Sequence, residues 1–223
     1  MAAFLANVGV NSSHAAQSPL FADGTFELLP IPEPNGWRAP MLRMRDLPHA
    51  RSHAPAAWLD RAVHLDPDLE SDIRTYGDNC RRAGRAFSLR HAKRGDIVVF
   101  VARLQPTDTP AGFHLVGFLD IDDVITDVTS DPGTGWWDGN AHVRRARATG
   151  SWDSFWVFRG AARSRLLDHA VPFRRKEAQA IFGDATRWPS HRTELQTIGS
   201  CTRAVRRLEG CGEEWLRAKT CLS

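Results

Sequence analysis

Five polar side chains, Asn7, Asn11, Ser12, Ser13 and His14, crowd the point where an apolar run from Ala3 to Val10 gives out. A polar cluster at the mouth of a buried strand is a common position for a binding or catalytic site. A free imidazole titrates near neutrality, which makes His14 the candidate general base. Asn11 and Ser13 would line the polar edge of a ligand, although Asn and Ser at such a place also cap turns. Glu27 and Glu33 are the candidate acid–base partners. In a strand over Thr25 to Ile31, Glu27 shares a face with Thr25 and Leu29, away from Phe26 and Leu28. Glu33 lies past that strand's end, and two exposed carboxylates also read as plainly solvated. Asp78, within Tyr76-Gly77-Asp78-Asn79-Cys80, holds the remaining candidate role, orienting His14 or holding a substrate amine.

A second constellation is Trp136-Trp137-Asp138-Gly139-Asn140-Ala141-His142-Val143-Arg144-Arg145. Adjacent tryptophans in a glycine-rich loop are the residues that stack on a base. Asn140 and His142 offer polar contacts to a base edge, and Arg144 and Arg145 can hold phosphate or stack. The alternative is a loop pinned by one buried tryptophan. Basic residues stay dense beyond it: residues 141–223 carry 16 Lys+Arg against 8 Asp+Glu, whereas residues 1–140 carry 13 against 18. A basic C-terminal third suits a phosphate-bearing partner, unless the acidic front faces it and quenches its field.

Other chemistries are poorly supplied. No glycine-rich phosphate loop follows a strand, which argues against P-loop and Rossmann proteins. The nine histidines form no HxH or HExxH pattern, so no metal or cofactor is assigned. His14, His142 and a carboxylate are the set that would have to converge in space. The four cysteines, Cys80, Cys201, Cys211 and Cys221, form no CxxC pair and read as reduced, idle thiols. No apolar run approaches the roughly 18 residues of a membrane helix, and the apolar start lacks the basic n-region of a signal peptide. A cytoplasmic location is expected, with no membrane partner; the oligomeric state is left open.

The elements that must position these groups are read from periodicity. Ile97 to Leu104 and Phe113 to Ile121 are apolar, β-branched and aromatic runs around a Pro-containing turn, an antiparallel core hairpin. Further strands are expected over Ala3 to Val10, Thr25 to Ile31 and Trp152 to Arg159. Helices are expected over Ala56 to Val63, Phe173 to Phe182, Gly199 to Leu208 and Glu213 to Lys219, with a helical or irregular piece from Asp68 to Tyr76. The prolines between residues 32 and 55, Pro34 among them, make that stretch an extended loop. The whole is one α+β domain over 1–223, with a β-rich body over 1–160 and a basic helical extension over 161–223.

Three stretches resemble the nucleotide-modification-associated domain family. They are Leu5 to His14, Ser18 to Glu33, and Thr75-Tyr76-Gly77-Asp78-Asn79 with the strand after Gly95-Asp96. Asn140-Ala141-His142 extends the likeness. The resemblance implies a place among bacterial and phage systems that make or handle modified DNA bases. The Gly-Asp hairpin is also similar to PUA-like folds, which implies a small β-barrel with flanking helices. The expected activity is recognition, and processing, of a modified nucleobase in DNA or in a nucleotide. A reader without a reaction, or a hydrolase or transferase acting on a nucleotide-like metabolite, are the alternatives. The expected partner is a nucleic acid or nucleotide.

Overall fold

The computed structural model describes residues 1–33, 39–81, 84–183 and 186–220. Pro34 and Cys221, named above, lie outside the described residues. The expected hairpin is β6 (Ile97–Pro106) against β7 (Gly112–Val128), antiparallel from Ile97↔Asp120 to Leu104↔Gly112. β1 (Ala3–Val8) joins β6 in parallel, Ala3 opposite Ile97 and Val8 opposite Ala102. β2 (Ser18–Leu20) follows β1 along the same edge of β6. β7 is long enough to carry two strands on its far edge. β9 (Arg165–Pro172) pairs with its first half, and β8 (Phe155–Gly160) with its second. β5 (Thr75–Asp78) adds to β8, and β10 (Arg206–Leu208) adds to β1. β3 (Ile31–Pro32) and β4 (Val63–His64) form a separate small pair.

β1 and β6 are apolar without alternation because both faces are covered. Phe4, Ala6, Val98, Phe100 and Ala102 face one core, into which Tyr76 of β5 and Phe158 of β8 descend. Tyr76 meets Phe100 edge-on, with ring centroids 5.0 Å apart. The sheet therefore curls until its far end lies over its near end, with register shifts in β7 taking up the bend. Ala3, Leu5, Ile97, Val99 and Val101 face a second core. That core is roofed by α2 (Arg175–Phe182), α3 (Glu194–Cys201) and α4 (Cys211–Thr220). The remaining helix, α1 (Ala141–Thr149), packs on β8 through Val143 and Ala146.

Several expectations are corrected. The sheet is open, not a barrel: its order runs β10-β1-β6-β7-β8-β5 and no ladder joins β5 to β1. Both edges are diverted. β10 covers only Ala3 to Leu5 of β1, and the Asp66 carboxylate caps the Gly77 N–H on the outer edge of β5. The C-terminal segment is not simply helical, because β9 and β10 belong to the main sheet. The helix expected over Gly199 to Leu208 ends at Cys201, and Leu208 instead pairs with Ala3. Thr25 to Ile31 forms no strand along its length, only a bridge from Phe26 to Leu20 before β3 begins. Ala56 to Val63 gives a single 3-10 turn at Ala56–Trp58 before β4. Asp68 to Tyr76 takes the irregular alternative, without a helix, and leads into β5. No helix among the described residues is long and apolar enough to cross a membrane.

Candidate functional site

The gap between β5 and β1 is a cleft of about 800 Å³. Its lining comes from the end of β1 (Asn7, Val8), the loop after it (Gly9, Asn11, Ser12, Ser13), and β4 and β5 with Asp66 between them. Ile31 of β3, Arg85, Arg103, Phe113, His142 of α1, and α3 with Arg203 complete it. The volume lies in the range of small-ligand sites.

One wall is a cluster of His64, Asp66 and His142. The two Nε2 atoms are 3.3 Å apart, and Asp66 Oδ2 lies 3.3 Å from that of His142 and 3.8 Å from that of His64. Asp66 is fixed because both its oxygens accept from Gly77 N at 3.0 Å. Burial raises its pKa well above the carboxylate range, and Asp78 and Asp68 add to the rise against the pull of His64 and the Gly77 amide. Burial likewise lowers the pKa of His142 and favours its neutral imidazole, with Arg145 and Arg85 acting in the same sense against Asp78. His64 Nδ1 faces Glu33 Oε1 at 3.4 Å.

A second network ties the two halves of the sheet together. Asp78 accepts from Tyr76 Oη at 2.8 Å and from Arg85 Nε and a terminal nitrogen at 3.2 and 3.1 Å. The same Arg85 donates to the Asn7 carbonyl at 3.2 Å, so one guanidinium spans from β5 to β1 where no ladder does. Burial pulls the Arg85 pKa down, but Tyr76 and Asp78 more than reverse it and hold the side chain protonated. Burial pushes the Tyr76 hydroxyl and the Cys80 thiol well up, so both stay protonated and Cys80 is a poor nucleophile.

A third feature is Arg103, on β6 opposite Phe113. It lines the cleft, and its Nε is buried without a hydrogen-bond acceptor among the described residues. A buried guanidinium N–H in a cleft is a place for an anionic oxygen.

The comparisons with known proteins bear on this cleft. A family model described as nucleotide modification associated domain 3 matches residues 3–210. The chain belongs to that family. No curated protein and no solved structure matches it. Every residue lining the cleft falls inside the matched range.

Within this family member the residues expected from sequence are dispersed. Asn11, Ser13, Asp78 and His142 come together along the cleft. Asn11 Oδ1 holds Ser13 through its N at 2.9 Å and its Oγ at 2.6 Å. Glu33 is buried behind His64, with Arg145 Nε 3.7 Å from its Oε1. Asn140 is wholly buried and acts on position: its Oδ1 accepts from His142 N at 3.0 Å as the cap of α1. Its Nδ2 donates to Thr75 Oγ1 at 3.2 Å. His14 stands beside the lining residues, its Nδ1 accepting from Asn11 N at 3.0 Å and its ring edge-on to Trp58. Arg144 is on α1 outside the lining. Trp136 and Trp137 are also outside it, packed with Val143, Phe155 and Val157. The Trp136 indole donates to Asp123 at 3.1 Å and that of Trp137 to the Gly133 carbonyl at 2.9 Å.

Sequence reasoning passed over His64, Asp66, Arg85 and Arg103. The legible signal was His64-Leu65-Asp66, two polar groups at alternating positions immediately after an apolar pair, Ala62-Val63.

Glu27 is outside the lining of this cleft and carries a different signature. Burial, then repulsion by Glu70, raises its pKa from 4.5 to about 7, against the pull of His49. The folded state therefore binds a proton more tightly than the unfolded one between those values, and stability falls as pH rises through them. Glu27→Gln is expected to stabilise by about 1 kcal/mol at pH 8, allowing for screening of a half-buried group, and to be neutral below about pH 4.5. Urea unfolding at the two pH values measures this; an equal effect at both would place the stress elsewhere.

Proposed function

We propose that this chain recognises a modified nucleobase carried on a nucleotide, and acts on it, in the cleft between β1 and β5. The observation that carries the reading is Arg103, whose buried Nε meets no acceptor among the described residues, in a cleft shared with Asn11 and Ser13. Arg103, with Arg203, takes the phosphate. Asn7, Asn11 and Ser13 meet the polar edge of the base, with Val8, Ile31 and Phe113 as apolar surface. His64, Asp66, His142 and Asp78 are the groups available for proton or group transfer. The family's association with nucleotide modification supplies the substrate class.

The unit bound is a single nucleotide. A base in duplex DNA would have to swing out of the stack to enter a cleft of this size. The acidic front and the basic C-terminal third also face each other. Arg159 meets Asp122 at 2.6 Å, Arg163 meets Asp120 at 2.6 Å, and Arg147 meets Asp131 and Asp138 at 3.0 Å. Such pairing leaves less field for a polyanion track.

Affinities for 5-hydroxymethyl-dUMP, 5-methyl-dCMP, their unmodified parents and 20-mer oligonucleotides holding the same bases, at 50 and 200 mM salt, test this. The expected result is tighter binding of at least one modified mononucleotide than of its parent, with a log–log salt slope of about −1 to −2. Binding of oligonucleotides alone, with a slope of about −5 or steeper, would point to a tract along the backbone instead. No binding of any of these ligands would sink the nucleotide reading.

A further inference from the structure

We propose that His64, Asp66 and His142 hold one divalent transition-metal ion at the wall of the cleft. The inference rests on donor geometry and stands apart from the identity of the cleft's ligand. An ion about 2.0–2.1 Å from each of three ligands in a tetrahedral arrangement separates the ligand atoms by roughly 3.3 Å. Here the three separations are 3.3, 3.3 and 3.8 Å, from one ring atom of each histidine and one carboxylate oxygen. The side chains are thus already gathered near the spacing that binding requires.

Each ligand is held from behind. His64 Nδ1 makes no hydrogen bond among the described residues but lies 3.4 Å from the Glu33 carboxylate, whose charge favours the proton there and leaves the Nε2 lone pair facing the cluster. A carboxylate behind a metal-binding histidine is a recurring support. Asp66 is oriented by the Gly77 amide. His142 is seated by the Asn140 cap and by the Phe155 ring, 5.4 Å away between centroids. The ligands come from the end of β4 with the residue two positions on, and from the first turn of α1, so the ion would clasp together two segments that no ladder joins.

Two imidazoles and one carboxylate suit Zn²⁺, Fe²⁺, Mn²⁺ or Co²⁺, and offer little to Ca²⁺ or Mg²⁺, which take all-oxygen sets. Three protein ligands leave at least one coordination position open. All three residues line the cleft, so that position is available to water or to an oxygen of a bound ligand.

The test uses the full chain, stripped with chelator, dialysed, and titrated calorimetrically with Zn²⁺, Mn²⁺ and Mg²⁺. Co²⁺ is followed by its visible absorption. Expected are one Zn²⁺ per chain, negligible Mg²⁺ binding, and visible Co²⁺ bands of a low-coordinate nitrogen–oxygen site. His64→Ala and His142→Ala should abolish stoichiometric Zn²⁺ binding. Glu33→Gln keeps every ligand, so it remains informative if a ligand variant fails to fold; it should weaken Zn²⁺ by about 10–100-fold. A wild-type chain that takes up no Zn²⁺ overturns the proposal. So does one-to-one binding that survives His64→Ala and His142→Ala unchanged. Nucleotide affinity, measured separately on the stripped chain, reports on the cleft's ligand and not on this site.

Discussion

Asp78→Ala is expected to lower the thermal midpoint by roughly 6–12 °C, the equivalent of about 3 kcal/mol in a chain of this length. Asp78 is buried and accepts four hydrogen bonds, from Tyr76 Oη, from two nitrogens of Arg85 and from Asn79 N. Truncation leaves the Tyr76 hydroxyl, 2 % exposed as a residue, without its acceptor. An orphaned buried donor costs about 1–3 kcal/mol. It also removes the counter-charge of Arg85, although that side chain is half exposed and water compensates part of the loss. The loss should be partly recovered by Tyr76→Phe in the Asp78→Ala background, since no hydroxyl then remains to be satisfied. Scanning calorimetry of Asp78→Ala, Tyr76→Phe and the double variant measures the coupling. A shift below about 2 °C for Asp78→Ala would mean that β5 is held to β1 by its aromatic contacts alone.

Gly77→Ala is expected to cost about 2 kcal/mol, although it adds a single methyl group. A Cβ at Gly77 would stand 2.8 Å from His142 Cδ2 and 2.9 Å from Asn140 Oδ1. Neither neighbour has room to give. Asn140 is fully buried, caps α1 and is tied to Thr75, while His142 is packed against Phe155 and faces Asp66. The backbone of β5 passes this close because its edge N–H must reach the Asp66 carboxylate. The methyl group should therefore push α1 outward and separate His142 from His64 and Asp66. Denaturant unfolding gives the cost, and the chemical shifts of the two imidazoles give the displacement. A variant with wild-type stability and unmoved imidazole signals would show that α1 yields freely and that the contact is not a constraint.

How much of this was legible follows from which signals are local. The β6–β7 hairpin was plain because Ile97 to Val101 and Leu115 to Leu119 are apolar on both faces, as strands between two cores must be. The open edge was not, because whether β5 meets β1 depends on Asp66 and Arg85 taking the places a ladder would fill. β10 was read as helix because Arg206-Arg207-Leu208 has no strand signature; it extends only because β1 offers it an edge. At the site, Asn11 and Ser13 stood out as polar groups at the end of an apolar run, and Asp78 as the carboxylate beside the single tyrosine. His64 and Arg103 did not. His64 sits at the end of a two-residue strand, and Arg103 occupies a position in β6 that reads as an ordinary solvent-facing alternate. The tryptophan pair was prominent for its composition, but Asp123 and the Gly133 carbonyl satisfy its indoles and α1 covers its rings.

The most direct test of the central claim is a calorimetric titration of 5-hydroxymethyl-dUMP and 5-methyl-dCMP into the wild-type chain and into Arg103→Met. The substitution keeps most of the side chain's bulk and removes the charge-assisted donors. Saturable one-to-one binding of at least one nucleotide by the wild type, weakened about 10–100-fold in a variant that still melts cooperatively, is the expected result. Equal affinity in the two proteins, or no binding to the wild type, would contradict the assignment of this cleft to a nucleotide.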